Sequence, residues 1–274
     1  MKETKTMFLN EIIEHKKSLI EQKKKVLPLE ILKTCKRPRN FCMMSIAQRI
    51  YHEGFGIIAE TKKASPSGGL FRKRYSPKQI AISYQNAGAC AISVLTEDKF
   101  FLGSIEHLKA VKSCVNIPVL AKDFFVDEYQ VYQAYLAGAD CILLILKILS
   151  DQDFLHLFKV ARSLKLEVLA EIQNEKELSR FFNLLPQKDG MILGINSRNL
   201  SNLEIDFEGT FYLLSLLKGV KIPLIVESGI SSAEQLTRFF SAGANGALIG
   251  SYLLRSKSPK KALRKLIKEI QNGR

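Results

Sequence analysis

The chain has 274 residues, 46% of them hydrophobic, and a formal net charge of +14. That is enough apolar material for a large core, either in one barrel of about 250 residues or in two smaller domains. The longest apolar run, CILLILKIL, is too short to span a membrane, and the five cysteines and four histidines are too scattered for a disulfide framework or a zinc site. The start, MKETKTMFLNEII, is charged and lacks the apolar core of a signal peptide, so we expect a cytoplasmic protein.

The positive charge is concentrated at the two ends of the chain. Residues 1–40 carry 11 Lys or Arg against 5 Asp or Glu, and residues 252–274 carry 8 against 1, whereas the body between them is close to neutral. In the segment KKALRKLIKEI, the apolar residues recur at helical spacing with lysines on the other face; they are Leu263, Leu266, Ile267 and Ile270. We therefore interpret the basic ends as the solvated faces of terminal helices; a nucleic-acid-binding surface is the alternative.

The first 48 residues are predicted to be helical. The segment MFLNEIIEHKKSLIEQKK places apolar residues, among them Ile12, Leu19 and Ile20, near one helical face, and Pro28 ends the helix. We expect residues 1–48 to form an extension that packs on the fold that follows, so that residues 1–274 make up a single domain.

From residue 56 onward, short apolar runs recur at an average spacing of about 27 residues. The runs are continuous rather than alternating, which is typical of parallel strands that are buried on both faces. Eight of them can be counted: GIIAE, CAISVLT, PVLAKD, CILLIL, EVLAE, MILGIN, PLIVESG and GALIG.

Helix-like segments separate these runs, and three of the segments close with the same phrase. Ala-Gly-Ala occurs at 87–89, 137–139 and 242–244, where glycine suits the left-handed position that ends a helix. Eight strand–helix units joined by right-handed crossovers predict an α/β fold, a (β/α)8 TIM barrel with an N-terminal helical extension. A doubly wound open sheet is the alternative, but the glycine-rich first turn expected of it, G-x-G-x-x-G, is absent from the sequence.

Polar residues collect at the carboxyl ends of the predicted strands, where barrel enzymes hold their active sites. A charge buried there is costly unless it faces an opposite charge, a ligand or water. One such residue alone could belong to a structural ion pair, but a set that converges on one rim indicates a polar pocket. The set comprises Glu60, Lys62, Lys122, Asp123, Glu171, Asn196, Arg198 and Glu227.

Two further features point to the substrate. VESGI after the seventh strand and LIGSYLL after the eighth offer backbone amides at Gly229, Gly250 and Ser251 in front of a helix N-terminus, which is typical of the phosphate site of this fold. Neighbouring lysines and carboxylates suit acid–base chemistry, and no metal-ligand spacing or nucleotide-binding loop in the sequence competes with that interpretation. Four apolar residues could either line a slot for a ring or pack in the core: Phe100, Phe101, Phe124 and Leu143.

Eight motifs along the chain resemble those of the indole-3-glycerol phosphate synthase family, over about residues 50–255. They are IIAETKKASPS, AISVLTEDKFFLGS, PVLAKDF, CILLILKIL, VLAEIQ, GINSRNL, VESGI and ALIGS. The resemblance implies a barrel enzyme of tryptophan biosynthesis that closes the ring of 1-(2-carboxyphenylamino)-1-deoxyribulose 5-phosphate, with loss of CO2 and water. It implies no metal and no cofactor. The expected partners are this small phosphorylated aromatic substrate and other tryptophan-pathway enzymes, with no nucleic acid and no membrane.

The same resemblance implies a role for each site residue. Lys122 is the general acid that protonates the ribulose carbonyl as the aromatic carbon attacks, and Glu171 and Lys62 serve the later dehydration as base and acid. Three residues orient the substrate and tune the lysines: Glu60, Asn196 and Glu227. The carboxylate that leaves as CO2 is held by Arg198 with Ser65. The phosphate lies near Lys62, Ser228, Gly229, Gly250 and Ser251, and the aromatic ring packs on Phe101, Phe124 and Leu143.

The sequence departs from the family pattern at two positions outside the predicted catalytic set. Gly68 stands where a lysine is common, and Gln173 stands where a histidine is common, which puts loop motion rather than the reaction in question. Two rival functions are open at this point. One is a phosphoribosyl isomerase of the same barrel class, which needs a catalytic Cys or Asp on early strands; the other is a basic nucleic-acid-binding protein without activity.

Overall fold

Eight parallel strands close into a barrel in this computed structural model, which describes residues 3–185 and 189–272. The first strand pairs with both its successor and the last strand, so that Ile58 is in register with Ala91 on one side and Leu248 on the other. A two-stranded hairpin, β2–β3, follows the first barrel strand. The strands are β1 (Gly56–Thr61), β2 (Ala64–Ser65), β3 (Gly69–Leu70), β4 (Ala91–Leu95), β5 (Val119–Lys122), β6 (Cys141–Ile145), β7 (Glu167–Ile172), β8 (Met191–Asn196), β9 (Leu224–Glu227) and β10 (Gly246–Ile249).

The barrel strands are buried on both faces, which is why their sequences are continuously apolar. Inward-facing side chains such as Leu120, Leu143 and Ile192 fill the barrel interior, in one cluster. Outward-facing side chains such as Val94 and Val168 form a second cluster beneath the surrounding helices. The alternation of side chains along each strand thus divides the core into an inner and an outer layer.

Helices cover the outside of the barrel. They are α1 (Glu3–Val26), α2 (Leu29–Thr34), α3 (Ile46–Glu53), α4 (Pro77–Gln85), α5 (Ile105–Lys112), α6 (Glu128–Leu136), α7 (Asp151–Ser163), α8 (Glu175–Leu184), α9 (Phe207–Leu216), α10 (Ala233–Ser241), α11 (Ser251–Arg255) and α12 (Pro259–Asn272). The Ala-Gly-Ala phrases end α4, α6 and α10 as predicted, with left-handed φ angles of 99°, 97° and 109° at Gly88, Gly138 and Gly243. In α10, Ser232 and Gln235 form a reciprocal capping box.

The three N-terminal helices pack against the barrel at both of its ends. Leu9 and Ile12 of α1 join the interior cluster and line a cavity at the carboxyl ends of the strands. Ile46 of α3 belongs to the same cluster, but α3 lies at the opposite end. There Glu167, at the start of β7, accepts hydrogen bonds from Ser45 Oγ at 2.5 Å and from Ile46 N at 2.7 Å. The helix α3 continues across residue 48, the predicted end of the extension.

The predicted fold class, a (β/α)8 barrel with an N-terminal helical extension, is confirmed. The C-terminal helix α12 also has the predicted amphipathic character, since Leu263, Leu266 and Ile270 are buried. Among the helices of the described residues, none is both long enough and apolar enough to cross a membrane.

Candidate active site

A cavity of about 650 Å³ opens at the carboxyl ends of the barrel strands, and every predicted catalytic and substrate-binding residue lines it. Of the four candidates for a ring slot, Phe100 is not part of the wall. Its walls combine a charged floor with an apolar side. The predicted catalytic residues in the wall are Glu60, Lys62, Lys122, Glu171, Asn196 and Glu227. The predicted substrate-binding residues in the wall are Ser65, Phe101, Phe124, Leu143, Arg198, Ser228, Gly229, Gly250 and Ser251. The structure thus brings the whole set together, while the role of each residue stays a prediction.

Lys122 is the last residue of β5 and reaches two carboxylates across the barrel mouth. Its Nζ donates a hydrogen bond to Glu227 Oε2 and lies 3.8 Å from Glu171 Oε2. Burial lowers the pKa of this ammonium group, but the negative charges of Glu227, Glu171 and Glu60 outweigh burial and raise the pKa above its ordinary value. Lys122 is therefore protonated at neutral pH and has a proton to donate.

Glu171, near the end of β7, belongs to a chain of hydrogen bonds. Asn196 Nδ2 donates to Glu171 Oε1 at 2.9 Å, and Asn196 Oδ1 accepts from the backbone N–H of Arg198 at 2.9 Å. Burial raises the pKa of Glu171, and the charge of Glu227 raises it further, to about 7, against the opposing effect of Lys122. A carboxyl group that is half ionised near neutral pH can accept a proton in one step and return it in another.

The end of β1 supplies a second ion pair. Lys62 Nζ donates to Glu60 Oε1 at 2.5 Å, and both side chains are almost entirely buried. Burial raises the pKa of Glu60, but the charges of Lys62 and Lys122 outweigh burial, so that its pKa lies below the ordinary value. Glu60 is therefore ionised at neutral pH. Phe71, directly after β3, has its ring centroid 5.5 Å from Lys62 Nζ, which adds a cation–π contact.

Two glycines leave room for carboxylates in the floor. A Cβ atom at Gly194 would lie 2.5 Å from Glu227 Oε1, and one at Gly250 would lie 2.5 Å from Glu60 Oε1. Glu227 Oε1 is buried and has no hydrogen-bond partner among the described residues, so it can accept a bond from a substrate N–H or O–H. Sequence analysis missed Gly194, although a glycine inside the strand MILGIN is itself a signal of close approach.

The loops after β9 and β10 form the side of the cavity predicted to hold phosphate. Ser228 and Gly229 both adopt positive φ angles, 70° and 74°, which turn the chain sharply after β9. Gly250 is the residue before α11, and Ser251 is the first residue of that helix. Sequence analysis missed four further residues of this wall, although an arginine one helical turn after a Gly-Ser pair was an available signal: Ser231, Tyr252, Arg255 and Ser256.

The apolar side of the cavity is built from barrel loops and from α1. The rings of Phe101 and Phe124 are tilted with centroids 6.3 Å apart, and Leu143 lies on the same wall. Leu9 and Ile12 of α1 complete it. Sequence analysis assigned α1 a packing role only, because an amphipathic pattern shows that a helix buries one face but not what that face contacts.

Arg198 lies in the loop after β8 with a half-buried guanidinium group. Its Nη1 donates to the carbonyl oxygen of Leu203 at 2.8 Å, and Gln173 Nε2 donates to the carbonyl oxygen of Arg198 at 2.9 Å. Burial lowers the pKa of Arg198, but a guanidinium group remains charged at any working pH. Gln173, one of the two departures from the family pattern, therefore helps to hold the loop that carries Arg198.

One group of side chains among the described residues has donor atoms close enough together for a metal ion. His15, Glu97 and Asp98 place theirs within 4.8 Å of one another, outside the cavity wall. Asp98 already accepts a hydrogen bond from Lys16 Nζ at 3.0 Å, and Glu97 accepts one from the backbone N–H of Phe100 at 2.7 Å. Because these carboxylates are engaged and the Lys16 charge opposes a cation, we assign no metal to the group.

The closed barrel and the charged cavity at its carboxyl end define the protein as an enzyme of the (β/α)8-barrel class. Solved structures of the same fold include 3-hexulose-6-phosphate synthase from Salmonella typhimurium, with a TM-score of 0.64 over 80% of this chain and 100% of that one. KGPDC from Streptococcus mutans matches with a TM-score of 0.62 over 80% of this chain and 98% of that one. Both are 15% identical to this chain, so the likeness shows the fold alone.

Sequence comparison identifies the family within this class. A family model described as indole-3-glycerol phosphate synthase matches residues 9–266. The indole-3-glycerol phosphate synthase of Prochlorococcus marinus is 40% identical over 271 residues, which cover 96% of this chain and 90% of that protein. The one of Aliarcobacter butzleri is 41% identical over 264 residues, covering 94% and 98%. The chain belongs to the indole-3-glycerol phosphate synthase family, which makes it a carboxy-lyase of tryptophan biosynthesis and sets the isomerase alternative aside.

Proposed function

We propose that the cavity binds 1-(2-carboxyphenylamino)-1-deoxyribulose 5-phosphate and that its charged floor converts this substrate to indole-3-glycerol phosphate, CO2 and water. The observation that carries the proposal is the placement of Lys122, a partly buried ammonium that lies between Glu227 and Glu171 in the floor of the cavity. This arrangement presents a proton donor beside a proton acceptor. Ring closure needs a donor, and dehydration needs a donor and an acceptor.

Ring closure is assigned to Lys122. As the aromatic carbon attacks the ribulose carbonyl, negative charge develops on the carbonyl oxygen, and the ammonium group can stabilise and protonate it. The raised pKa keeps Lys122 charged until this moment, since proton transfer becomes favourable only when a more basic alkoxide forms beside it. Loss of CO2 from the ring carbon that formed the new bond then restores aromaticity.

Dehydration is assigned to Glu171 and Lys62. Glu171, with a pKa of about 7, can remove a proton from the ring-closed intermediate. Lys62, held by Glu60 at 2.5 Å, lies in the same cavity wall and can protonate the departing hydroxyl. Glu60, Asn196 and Glu227 orient the substrate's amine and hydroxyl groups; the unpaired Glu227 Oε1 supports this role because it has an acceptor site to offer.

The two ends of the substrate have opposite requirements, and two different parts of the cavity wall can meet them. The phosphate is assigned to the loops of Ser228, Gly229, Gly250 and Ser251, with Lys62 nearby. The aromatic ring is assigned to the apolar wall of Phe101, Phe124 and Leu143, which would exclude water from the carbon that reacts. Arg198 with Ser65 holds the ring's carboxylate until it leaves as CO2, since a charged guanidinium group is a good partner for a carboxylate.

The reaction needs one partner, the small phosphorylated aromatic substrate. Association with other tryptophan-pathway enzymes is a further part of the proposal that rests on the family alone. Nucleic acid has no part in it, because the positive charge of the chain lies in its terminal helices while the residues that line the cavity include both acids and bases.

The direct test supplies the carboxyphenylamino-deoxyribulose phosphate without added metal or nucleotide and follows indole fluorescence. Lys122→Met keeps most of the apolar stem and removes the proton, so kcat should fall by at least about a hundredfold while KM changes much less. Lys63→Met is the matched control, because Lys63 is a neighbour of Lys62 that does not line the cavity. Equal small effects of the two substitutions on kcat would rule out Lys122 as the acid.

A further inference from the structure

The N-terminal helix α1 is joined to the ends of two barrel strands by one buried lysine. Lys16 leaves only 5% of its side chain exposed. Its Nζ lies 3.0 Å from Asp98 Oδ1, after β4, and 3.1 Å from the carboxylate of Asp123, which directly follows β5. A buried ammonium is stable only when its charge is matched by hydrogen-bonded partners, and these two carboxylates match it.

Asp123 is the residue between Lys122 and Phe124, and it is held from several directions. Its carboxylate accepts hydrogen bonds from Thr96 Oγ1 at 2.8 Å and from the backbone N–H of Phe124 at 2.8 Å, besides the bond from Lys16. The backbone N–H of Thr96 also donates to the carbonyl oxygen of Lys122 at 3.0 Å. The segment that carries the proposed acid and a ring-contacting phenylalanine is thus clamped at Asp123, and Lys16 supplies the positive charge of the clamp.

The charges of Lys16 and Asp123 also couple these two residues. Burial raises the pKa of Asp123, whereas Lys16 acts to lower it. Burial lowers the pKa of Lys16, but the charges of Asp123 and Asp98 outweigh burial and raise it, so Lys16 is charged at neutral pH. Without Lys16, the buried carboxylate of Asp123 would lose the positive charge that matches it, and the segment that carries Lys122 would lose its tie to α1.

We propose that Lys16 is a positioning residue for the reaction, which acts through Asp123 to set the placement of Lys122 and Phe124. The inference rests on the proposed function of Lys122. The helix α1 then contributes to catalysis as well as covering the barrel. A displacement of about 1 Å in a reacting group can lower a rate about a hundredfold, so an effect through a neighbouring residue is expected to be large.

The same helix offers a matched control. Lys24 also ties α1 to the barrel, through an ion pair with Asp127 at 2.6 Å, but Asp127 is the N-cap of α6 and does not line the cavity. If ion pairs of α1 only hold the helix in place, Lys16→Met and Lys24→Met should differ in their effect on stability and not in their effect on turnover.

The experiment measures kcat and KM with the carboxyphenylamino-deoxyribulose phosphate, and thermal unfolding, for Lys16→Met, Lys16→Arg and Lys24→Met. At a temperature where all are folded, Lys16→Met should lower kcat by at least about tenfold with less than about a fivefold rise in KM, because the phosphate loops are untouched. Lys16→Arg, which can donate to both carboxylates, should keep kcat within about fivefold of the wild type, and Lys24→Met within about twofold. A kcat for folded Lys16→Met within about twofold of the wild type, or an equal loss in the arginine variant, would overturn the inference.

A double-mutant cycle keeps the test valid if Lys16→Met does not fold. Asp123→Asn removes the charge that Lys16 matches, so adding Lys16→Met to it should change kcat by less than about threefold. If the double variant instead has a kcat at least about tenfold below that of Asp123→Asn, Lys16→Met has the same effect with and without the Asp123 charge. Lys16 then does not act through Asp123. Lys122→Met is measured alongside: if it keeps full activity, the proposed function fails, whereas a loss there with no loss at Lys16 refutes only the present inference.

Discussion

Glu60 and Glu171 are both buried at the barrel mouth, but their pKa values move in opposite directions. Burial raises the pKa of each. Glu60 has Lys62 at 2.5 Å and feels the charge of Lys122, which together bring its pKa below the ordinary value. Glu171 faces the negative charge of Glu227 and has Lys122 only at 3.8 Å, so its pKa rises to about 7. Glu171 can therefore exchange a proton near neutral pH, whereas Glu60 stays ionised and holds Lys62.

This difference predicts a pH profile. A general base acts in its ionised form, so kcat, which includes the dehydration step, should rise with pH through about 7 as Glu171 loses its proton. Glu171→Gln should lack this rise and should lower kcat by about a hundredfold or more. Rate measurements between about pH 5.5 and 8.5 check both expectations.

Glu175→Gln serves as the control for that profile. Glu175 is the first residue of α8 and is exposed, with its carboxylate bonded to Tyr212 Oη at 2.9 Å, so the rise should be unchanged in this variant. A rise near pH 7 that survives in Glu171→Gln would assign the titration to a different group.

Among the elements of the fold, the loops after β9 and β10 are proposed to bind the substrate's phosphate. The loop after β9 depends on Gly229, whose φ angle of 74° favours glycine. A Cβ atom there would also lie 2.9 Å from Ile205 Cγ2 and 3.0 Å from Phe207 Cζ. A side chain at this position would therefore displace the loop that is proposed to bind phosphate.

Inorganic phosphate and sulfate should accordingly compete with the substrate. Gly229→Ala should weaken the inhibition by phosphate and raise KM by about tenfold, with a smaller effect on kcat, because the lost contacts are remote from the reacting carbon. Inhibition constants from initial rates at several phosphate concentrations provide the measurement.

Gly219→Ala is a suitable control for the backbone effect. Gly219 also has a positive φ angle, 83°, but a Cβ atom there would meet nothing within 4 Å, and it does not line the cavity. Gly219→Ala should lower the free energy of unfolding by about 1 kcal/mol and leave KM unchanged. Purely noncompetitive inhibition of the wild type by phosphate would count against the placement of the phosphate in these loops.

On the scale of the whole molecule, the two ends of the barrel serve different purposes. The carboxyl end carries the cavity, whereas the amino end carries a buried ion cluster around Asp140, just before β6. The Asp140 carboxylate accepts from Lys112 Nζ at 2.6 Å and from Arg37 Nη2 at 3.2 Å. It also accepts from the backbone N–H groups of Val119 at 2.8 Å and Met44 at 3.0 Å. The cluster thus ties the N-terminal segment to the barrel at the end away from the chemistry.

Asp140→Asn should therefore act on stability and spare catalysis. Removing the acid leaves two cations buried without a matching charge, which should cost about 3–5 kcal/mol of unfolding free energy. The folded enzyme should keep kcat and KM within about twofold, since the cavity is at the opposite end. Urea unfolding and steady-state kinetics measure the two effects separately.

An exposed ion pair provides the control for Asp140→Asn. Asp151 pairs with Arg180 at 2.6 Å but keeps 59% of its side chain exposed, so Asp151→Asn should cost less than about 1 kcal/mol. A loss of turnover in folded Asp140→Asn, at unchanged stability, would mean that the cluster acts on the active site.

The course of the backbone could be predicted because its signals are local. A continuous apolar run such as GIIAE is stable only when both faces of its strand are covered, and glycine at Gly88, Gly138 and Gly243 ends a helix by its own conformational freedom. Parallel strands also bring their carboxyl ends to one rim, which is why residues as distant in sequence as Glu60 and Glu227 could be expected in one pocket.

Only the tertiary structure decided which of these groups face one another. Lys122 and its partner Glu227 are 105 residues apart, and Lys16 and Asp123 are 107 residues apart. The space that Gly194 leaves for a carboxylate likewise exists only after β8 and β9 pair. An amphipathic pattern shows that α1 buries one face but not that this face reaches the active site. The energy of a charge depends on its distance from other charges and on its burial. Both quantities are defined only once the barrel has closed.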